Sequence, residues 1–188
     1  MTKYVNLFFS VYLHIFLIFI FITIFFWTVI RNTETNHFHT EIEKGIHGQS
    51  SLRLKCFINN LCTKVNTKYL EVGVYKGSTV LAAMYENPKT KVTGIEHYLY
   101  DDREPTKWAP EGHIWDNMKS QLKANFDRYR AHPDKINPEN FNLIEKDFME
   151  ADLPKDEFTV CYFDVAPVSA EVYDGFFEKI LPSLAKDC

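Results

Sequence analysis

The segment Glu71-Val-Gly-Val-Tyr-Lys-Gly77-Ser-Thr has residue types and spacing that could bind a small ligand. It leads from an apolar, β-rich run through two glycines into a helical pattern, and glycines at such a junction let the backbone approach a ligand closely. The start of the following helix offers free N–H groups and the positive end of the helix dipole. The glycine spacing differs from the Gly-x-Gly-x-x-Gly of dinucleotide-binding enzymes, and no Gly-Lys-Ser/Thr phosphate loop is present. The carboxylate of Glu71 would repel a pyrophosphate but suits positively charged groups.

Two further acids end predicted strands. Glu96 lies 25 residues beyond Glu71, close to the distance at which an α/β nucleotide site places its ribose-binding acid. An ordinary strand-end carboxylate is the alternative interpretation. Asp164 ends a long apolar run, where a charge is costly unless something pairs with it. It could be a catalytic base, a ligand for a divalent cation such as Mg²⁺ that lowers the pKa of a substrate hydroxyl, or a neutral structural acid.

The elements that must position these residues alternate between strand and helix. The apolar spacing and the turn residues predict strands at 68–74, 91–98, 141–145 and 158–165, and helices at 52–62, 78–85, 115–129 and 171–184. Ser78 or Thr79 is expected to cap the second helix, and the fourth strand is expected to be buried on both faces. The apolar positions that recur at helical spacing, and so are expected to face the core, are Leu54, Phe57, Ile58 and Leu61 in the first helix, Trp115, Met118, Leu122 and Phe126 in the third, and Val172, Phe176, Ile180 and Leu184 in the fourth. This alternation predicts an α/β fold, a Rossmann-like doubly wound and mostly parallel sheet.

Four segments, taken in order, resemble motifs of the class I S-adenosylmethionine (SAM) dependent methyltransferases. The segment Tyr69–Thr79 resembles the first motif, Glu/Asp-x-Gly-x-x-x-Gly, and its wording EVGVYKGST is similar to macrocin-type small-molecule O-methyltransferases. Gly94-Ile-Glu96 resembles the segment that holds the ribose, Glu145-Lys-Asp147-Phe the segment against adenine, and Cys161-Tyr-Phe-Asp164 the segment facing the methyl-transfer site. The resemblance extends from about Lys68 to Leu184.

This resemblance implies SAM as the cofactor and a small molecule as the methyl acceptor. Asp164 is implied as the catalytic residue and, if a cation is used, as its ligand. His97 could flank adenine or simply pack, and Asp147 could instead cap a turn. The implied cofactor-binding residues are Glu71, Gly73, Tyr75, Gly77, Ser78, Glu96, His97 and Asp147.

Two departures from the family pattern keep other functions open. Relatives often follow the aspartate with a further Asp or His, whereas this chain has Asp164-Val-Ala-Pro167. The chain also stops at Cys188, after the helix that follows the fourth strand, so a fragment or a shortened domain is expected. An inactive SAM-binding or interaction module is therefore a second hypothesis, and an NAD-dependent oxidoreductase is a third, disfavoured by the glycine spacing. The absence of an Asn/Asp-Pro-Pro-Tyr motif favours oxygen over nitrogen as the acceptor atom.

The N-terminal stretch Tyr4–Ile30 contains no Asp, Glu, Lys or Arg. As a helix it would span roughly 40 Å, enough to cross a hydrocarbon core of about 30 Å with tilt. It lacks the short apolar region and small-residue exit of a cleaved signal peptide. We therefore expect a single-pass anchor at 1–31, a juxtamembrane linker at 32–51 and a methyltransferase-like domain at 52–188. No Asn-x-Ser/Thr acceptor occurs, which favours a cytosolic domain.

The charge balance bears on partners. All 25 acidic residues and all but one of the 21 Lys and Arg residues follow Ile30, so the domain is acidic. No basic run is present to displace counterions from a polyanion, so no nucleic-acid partner is expected. The expected partners are a small-molecule acceptor and a lipid bilayer contacting residues 4–30.

Overall fold

The computed structural model describes residues 50–98, 117–130, 132, 134–165 and 169–186. All of them belong to the second of the two units into which the chain divides, Phe38–Cys188. The predicted anchor at 1–31, nearly all of the predicted linker at 32–51 and residues 99–116 lie outside the described residues. Among the helices that are described, none has both the length and the apolar character needed to cross a bilayer.

A four-stranded parallel sheet forms the centre of the fold, with strand order β3-β2-β1-β4. The strands are β1 (Lys68–Val72), β2 (Lys91–Ile95), β3 (Phe141–Ile144) and β4 (Val160–Phe163). The predicted α/β Rossmann-like sheet is therefore confirmed. Because β2 and β4 lie on opposite sides of β1, the order of the strands reverses there, and parallel α/β sheets bind ligands at such a switch point.

Along the described part of the chain, one α-helix precedes β1, one follows β1, one follows β2 and one follows β4. They are α1 (Leu52–Leu61), α2 (Ser78–Met84), α3 (Met118–Tyr129) and α4 (Ala170–Gly175). Short 3-10 turns occupy Pro138–Asn140 and Phe148–Glu150, and α4 continues as a π-helical turn at Phe176–Ile180 and a 3-10 turn at Leu181–Ser183.

Successive side chains of β1 point to opposite faces of the sheet, and each face carries its own hydrophobic cluster. Tyr69 belongs to the cluster that includes the buried residues of α1, α2 and α3. Leu70 and Val72 belong to the other cluster, which includes Ile180 and Phe148. All these side chains are nearly or fully buried, so β1 is the most enclosed strand and its carboxyl end is held firmly.

The fourth strand differs from its prediction. It is shorter than 158–165, and all four of its residues are only partly buried. The reason is its position, because β4 forms an edge of the sheet in the part of the chain that the structure describes. Apolar composition reports that a strand faces a core, but it does not distinguish a central strand from an edge strand.

The last predicted helix is also only partly confirmed. Ile180 is fully buried, and Val172, Phe176 and Leu184 pack against the same cluster, as the helical spacing predicted. The element is not one α-helix from 171 to 184, however. Pro182 has no N–H to donate to a preceding turn, and here the chain passes into π and 3-10 geometry.

The contact between α1 and α2 depends on a polar side chain that the hydrophobic pattern did not select. Asn59 is buried, and its amide nitrogen donates to the carbonyl oxygens of Ala82 (2.8 Å) and Tyr85 (2.7 Å). Both carbonyls lie at the end of α2, where no further helical turn supplies N–H donors. The predicted inward position Leu61 is instead exposed.

We expect Asn59→Ala to lower the free energy of unfolding by about 2 kcal/mol, because two buried carbonyl oxygens lose their donor. Val65→Ala is the control, since Val65 is 75% exposed and its truncation should change stability by less than about 0.5 kcal/mol. Urea unfolding of the full chain measures both. Equal stability of the two variants would contradict the assigned role of Asn59.

Candidate functional site

A cavity opens at the carboxyl ends of β1, β2 and β4, next to the switch point. The backbone after β1, the first turn of α2, the end of β2 and the residues after β4 line it. Of the predicted site residues, six lie together on this cavity: Gly73, Tyr75, Ser78, Glu96, His97 and Asp164. Glu71, Gly77 and Asp147 are not among its lining residues.

The turn after β1 passes close to both neighbouring strands. Gly73 has φ +92°, and a Cβ atom there would lie 2.1 Å from the carbonyl oxygen of Asp164. Its N–H donates to the carbonyl oxygen of Ile95 at 3.0 Å. Gly73 therefore lets β1, β2 and β4 converge at one point, and this is a backbone requirement that only glycine meets without strain.

The second glycine has a different role. Gly77 has φ +77°, and a Cβ atom there would lie 2.3 Å from Cδ1 of Leu122 on α3. Gly77 therefore lies against α3 rather than on the cavity, and its left-handed φ favours glycine more strongly than the contact with the movable end of the Leu122 side chain does. It also occupies the N-cap of α2 without a side-chain cap, so the prediction that Ser78 or Thr79 caps this helix was wrong. The left-handed conformation at Gly77 starts the helix one residue earlier than a hydroxyl cap would.

Glu96 ties the end of β2 to the turn after β1. Its Oε2 accepts from the backbone N–H of Tyr75 at 2.9 Å. Its Oε1 accepts from the N–H of His97 at 3.0 Å and from that of Tyr98 at 3.4 Å. A carboxylate can accept about four hydrogen bonds, so Glu96 keeps capacity for a ligand hydroxyl while its orientation is fixed by the backbone.

Glu71 is completely buried. The hydroxyl of Tyr69 lies 2.6 Å from one carboxyl oxygen and Oγ1 of Thr79 lies 2.5 Å from the other. Burial is the main cause that raises the pKa of Glu71. The hydroxyls of Thr79 and Tyr69 lower this pKa and the carboxylates of Asp164 and Glu96 raise it, and the resulting pKa is about 8. Glu71 is therefore largely uncharged at neutral pH, and it approaches the cavity only through Thr79, which lines it.

Asp164 follows β4 and is exposed, so the prediction of a buried strand-end charge was wrong. The hydroxyl of Tyr162 donates to its Oδ2 at 3.1 Å. Burial raises the pKa of Tyr162 to about 12, with the negative charge of Asp164 as the next cause. This pair gives the cavity an oriented carboxylate that is accessible to a ligand. Within the described residues, no group of three or more His, Cys, Asp or Glu side chains could hold a metal ion.

Asp147 caps the turn Phe148–Glu150, and its side chain accepts from the N–H of Met149 at 2.9 Å. Its neighbours Lys146 and Phe148 line the cavity instead. The motif therefore located the correct segment but not the side chains that face the cavity.

Besides Lys146 and Phe148, the predicted site residues omit seven residues that line the cavity, namely Ser50, Val72, Val74, Thr79, Ile95, Met118 and Val165. Thr79 belongs to the Gly77-Ser-Thr segment and could have been found from it. Ser50 and Met118 come from distant parts of the chain, and no local pattern links them to the cavity.

Comparison with known proteins gives similarity to solved structures, while no family model and no curated protein matches the chain. The fold is similar to YjhP from E. coli, with a TM-score of 0.47 and 15% identity over 83% of this chain. The chain spans about half of YjhP (51%). It is also similar to CalS11, a calicheamicin methyltransferase, with a TM-score of 0.49 and 16% identity over 86% of this chain and 73% of CalS11.

An apo structure of CalS11, named as a TDP-rhamnose 3′-O-methyltransferase of calicheamicin biosynthesis, gives a TM-score of 0.45 at 16% identity, again over 86% of this chain and 73% of CalS11. Similarity at this level does not distinguish one Rossmann-like protein from another. The fold assignment therefore rests on the strand order and the parallel pairing described above.

Proposed function

We propose that this chain binds SAM in the cavity at the β1 switch point and transfers its methyl group to an oxygen atom of a small molecule. The observation that carries the proposal is the convergence of the Gly73 turn, Glu96 and Asp164 on one cavity at the carboxyl edge of the sheet. Each of the three lies in a segment that resembles the corresponding methyltransferase motif. The choice of oxygen as the acceptor atom rests on the resemblance of the sequence EVGVYKGST to the first motif of macrocin-type O-methyltransferases.

The residues present fit such a ligand. The close approach at Gly73, where a Cβ atom would meet the backbone of Asp164, keeps the turn free of side-chain bulk. Glu96 has remaining acceptor capacity for one ribose hydroxyl. Two carboxylates, those of Glu96 and Asp164, line the cavity against the ammonium group of Lys146, and this excess of acidic groups suits a ligand carrying a sulfonium and an ammonium group.

Catalysis would consist mainly of alignment. Bound SAM would supply an electrophilic methyl group carried on a positively charged sulfur. The turn after β1 and Glu96 would hold the nucleoside in place, and Asp164 would accept the proton of the acceptor hydroxyl. Tyr162 donates to Oδ2 of Asp164, which leaves Oδ1 of Asp164 as the oxygen for that proton.

A membrane location is part of the proposal. The uncharged stretch Tyr4–Ile30 would anchor the chain as a single helix, with the domain on the cytosolic side. Alkaline carbonate extraction of membranes containing the full chain, with protease protection, tests this. Release of the chain into the supernatant would exclude the anchor, and protection of the domain inside sealed vesicles would place it on the other side.

We expect the full chain, purified in a mild detergent, to bind S-adenosylhomocysteine, and Glu96→Ala to weaken this binding at least tenfold, because both the ribose contact and the anchoring of the Tyr75 N–H are lost. Glu139→Ala is the matched control, since Glu139 is an exposed acid at the amino end of β3. Isothermal titration calorimetry measures all three proteins, with NAD as a competing ligand for the oxidoreductase hypothesis.

A folded protein that does not bind S-adenosylhomocysteine would exclude the proposed function. Binding of NAD in its place would favour the oxidoreductase. Binding of S-adenosylhomocysteine without methyl transfer to any hydroxylated acceptor would favour the inactive module, which the segment Asp164-Val-Ala-Pro167 supports because it lacks a second acid or histidine.

A further inference from the structure

Asp164 has a fixed backbone but a side chain that needs support from elsewhere. Its N–H donates to the carbonyl oxygen of Val72 at 2.8 Å, which fixes the main chain at the end of β4. The residue is exposed, and an exposed aspartate can rotate between several staggered conformers at little cost. A carboxylate that is to accept the proton of one bound hydroxyl therefore needs a partner that holds it in one orientation.

Tyr162 is such a partner. It lies two residues before Asp164, and its hydroxyl donates to Oδ2 of Asp164 at 3.1 Å. The side chain of Tyr162 is partly buried and packs against the hydrophobic cluster that contains Tyr69. Burial raises the pKa of Tyr162 to about 12, so the hydroxyl keeps its proton at neutral pH and remains a donor.

The hydroxyl of Tyr162 has a second partner, Ser50. A phenol has one proton, which Asp164 accepts, so any further hydrogen bond to the phenol oxygen must come from another donor. The side chain of Ser50 forms this bond, and it lowers the pKa of Tyr162 against the larger raising effect of burial. Ser50 lines the cavity and immediately precedes Ser51, the N-cap of α1. The sequence prediction had assigned Ser50 to the linker at 32–51.

We propose that Ser50 and Tyr162 are positioning residues that hold the carboxylate of Asp164 with Oδ1 toward the acceptor. The end of the predicted linker is then part of the lining that orients the acceptor. This inference rests on the proposed function, because it gives an orientation to the oxygen of Asp164 that would accept the proton. The hydroxyl of Ser50 donates to Tyr162, and Tyr162 donates to a carboxylate that can only accept, so the direction of both hydrogen bonds is fixed.

The test compares the affinities of two ligands for the full chain, purified in a mild detergent, by isothermal titration calorimetry. S-Adenosylhomocysteine has a neutral thioether where SAM carries its methyl group, whereas sinefungin carries an ammonium group at that point. A carboxylate held there would bind the ammonium group, so we expect the wild type to bind sinefungin at least about tenfold more tightly than S-adenosylhomocysteine. Asp164→Asn should abolish this preference.

Three variants test the positioning residues. Tyr162→Phe keeps the ring and removes the hydroxyl, so the preference for sinefungin should fall about fivefold while the affinity for S-adenosylhomocysteine is unchanged. Ser50→Ala should lower the preference about threefold, because the hydroxyl of Tyr162 loses its second partner. Ser50→Thr, which keeps a hydroxyl, should restore it. A merely structural role would change the affinities for both ligands together, so the ratio of the two affinities reports the orientation of Asp164.

Tyr173→Phe is the matched control, since Tyr173 is 59% exposed and its hydroxyl should not affect the ratio. The inference is overturned if Tyr162→Phe or Ser50→Ala, shown to be folded by its unfolding transition, keeps the wild-type preference. It is also overturned if the wild type binds both ligands equally, because no carboxylate then faces the transferred methyl group. In each of these cases binding of S-adenosylhomocysteine continues to support SAM as the cofactor, whereas a folded wild type that binds neither ligand overturns both proposals.

Discussion

Gly73→Ala is expected to destabilise the fold by about 3 kcal/mol or more and to abolish ligand binding. Two effects, backbone strain and a steric clash, both raise the free energy of the folded variant. An alanine with φ near +92° is strained, and its Cβ atom would lie 2.1 Å from the carbonyl oxygen of Asp164, a backbone atom that cannot rotate away. The clash could be relieved by moving β1 away from β4, but this movement would also separate the strand ends that line the cavity.

Chemical unfolding and S-adenosylhomocysteine titration measure the effect, with Val65→Ala as the control. Val65 is 75% exposed, so its truncation should change stability by less than about 0.5 kcal/mol and leave ligand binding unchanged. A Gly73→Ala protein as stable as the Val65→Ala protein would show that the turn is not constrained as described.

Glu71→Gln is expected to become more stable than the wild type as the pH rises. In the unfolded chain Glu71 ionises near its ordinary pKa of 4.5, whereas in the folded chain burial holds the pKa at about 8. Between these two pKa values the folded chain keeps a proton on Glu71 that the unfolded chain has lost. The free energy of unfolding of the wild type therefore falls by up to about 1.4 kcal/mol for each unit by which the pH rises. The contribution of Glu71 to the free energy of unfolding is complete below pH 4.5 and is lost as the pH rises through 8. The neutral amide has no such dependence.

The difference in unfolding free energy between wild type and Glu71→Gln should therefore grow from pH 5 to 8 and then level off. Urea unfolding at several pH values measures it, and subtraction removes the contribution of every other titrating group. Glu139→Gln, an exposed acid, should show a constant difference. A constant difference for Glu71→Gln as well would mean that its carboxyl ionises normally in the folded chain.

Much of the fold could be predicted because its signals are local. The junction from β1 through Gly73 and Gly77 into α2 is encoded in consecutive residues, and the apolar spacing of α3 placed Met118 and Leu122 inward as observed. The strand positions followed from β-rich runs bounded by turn residues. These patterns depend on local backbone geometry, so packing against distant parts of the chain changed the predicted elements little.

The errors arose where tertiary context decides. Asn59 is buried because the carbonyls at the end of α2 need a donor, and no pattern within α1 reveals that need. Asp164 is exposed because the chain leaves the sheet immediately after Phe163. Glu71 was predicted to contact the ligand, yet strand alternation directs its side chain into the same face as Tyr69. A motif identifies a segment, but the direction of each side chain depends on the packing around it.

The strand order also constrains how the chain reaches its native state. β1 pairs with β2 through residues 23 positions apart, as in Lys68 and Lys91, but its pairing with β4 joins residues 91 positions apart, as at Lys68 and Thr159. Closing the longer loop costs more entropy and gives its contacts later. We expect the β1–α2–β2 unit to form first during refolding and β4 to dock last. The Gly73–Asp164 contact would then arise in the slowest step, so the cavity would be completed only as folding ends. Pulsed amide exchange should protect the N–H of Gly73, which donates to Ile95 of β2, before the N–H of Asp164, which donates to Val72 of β1.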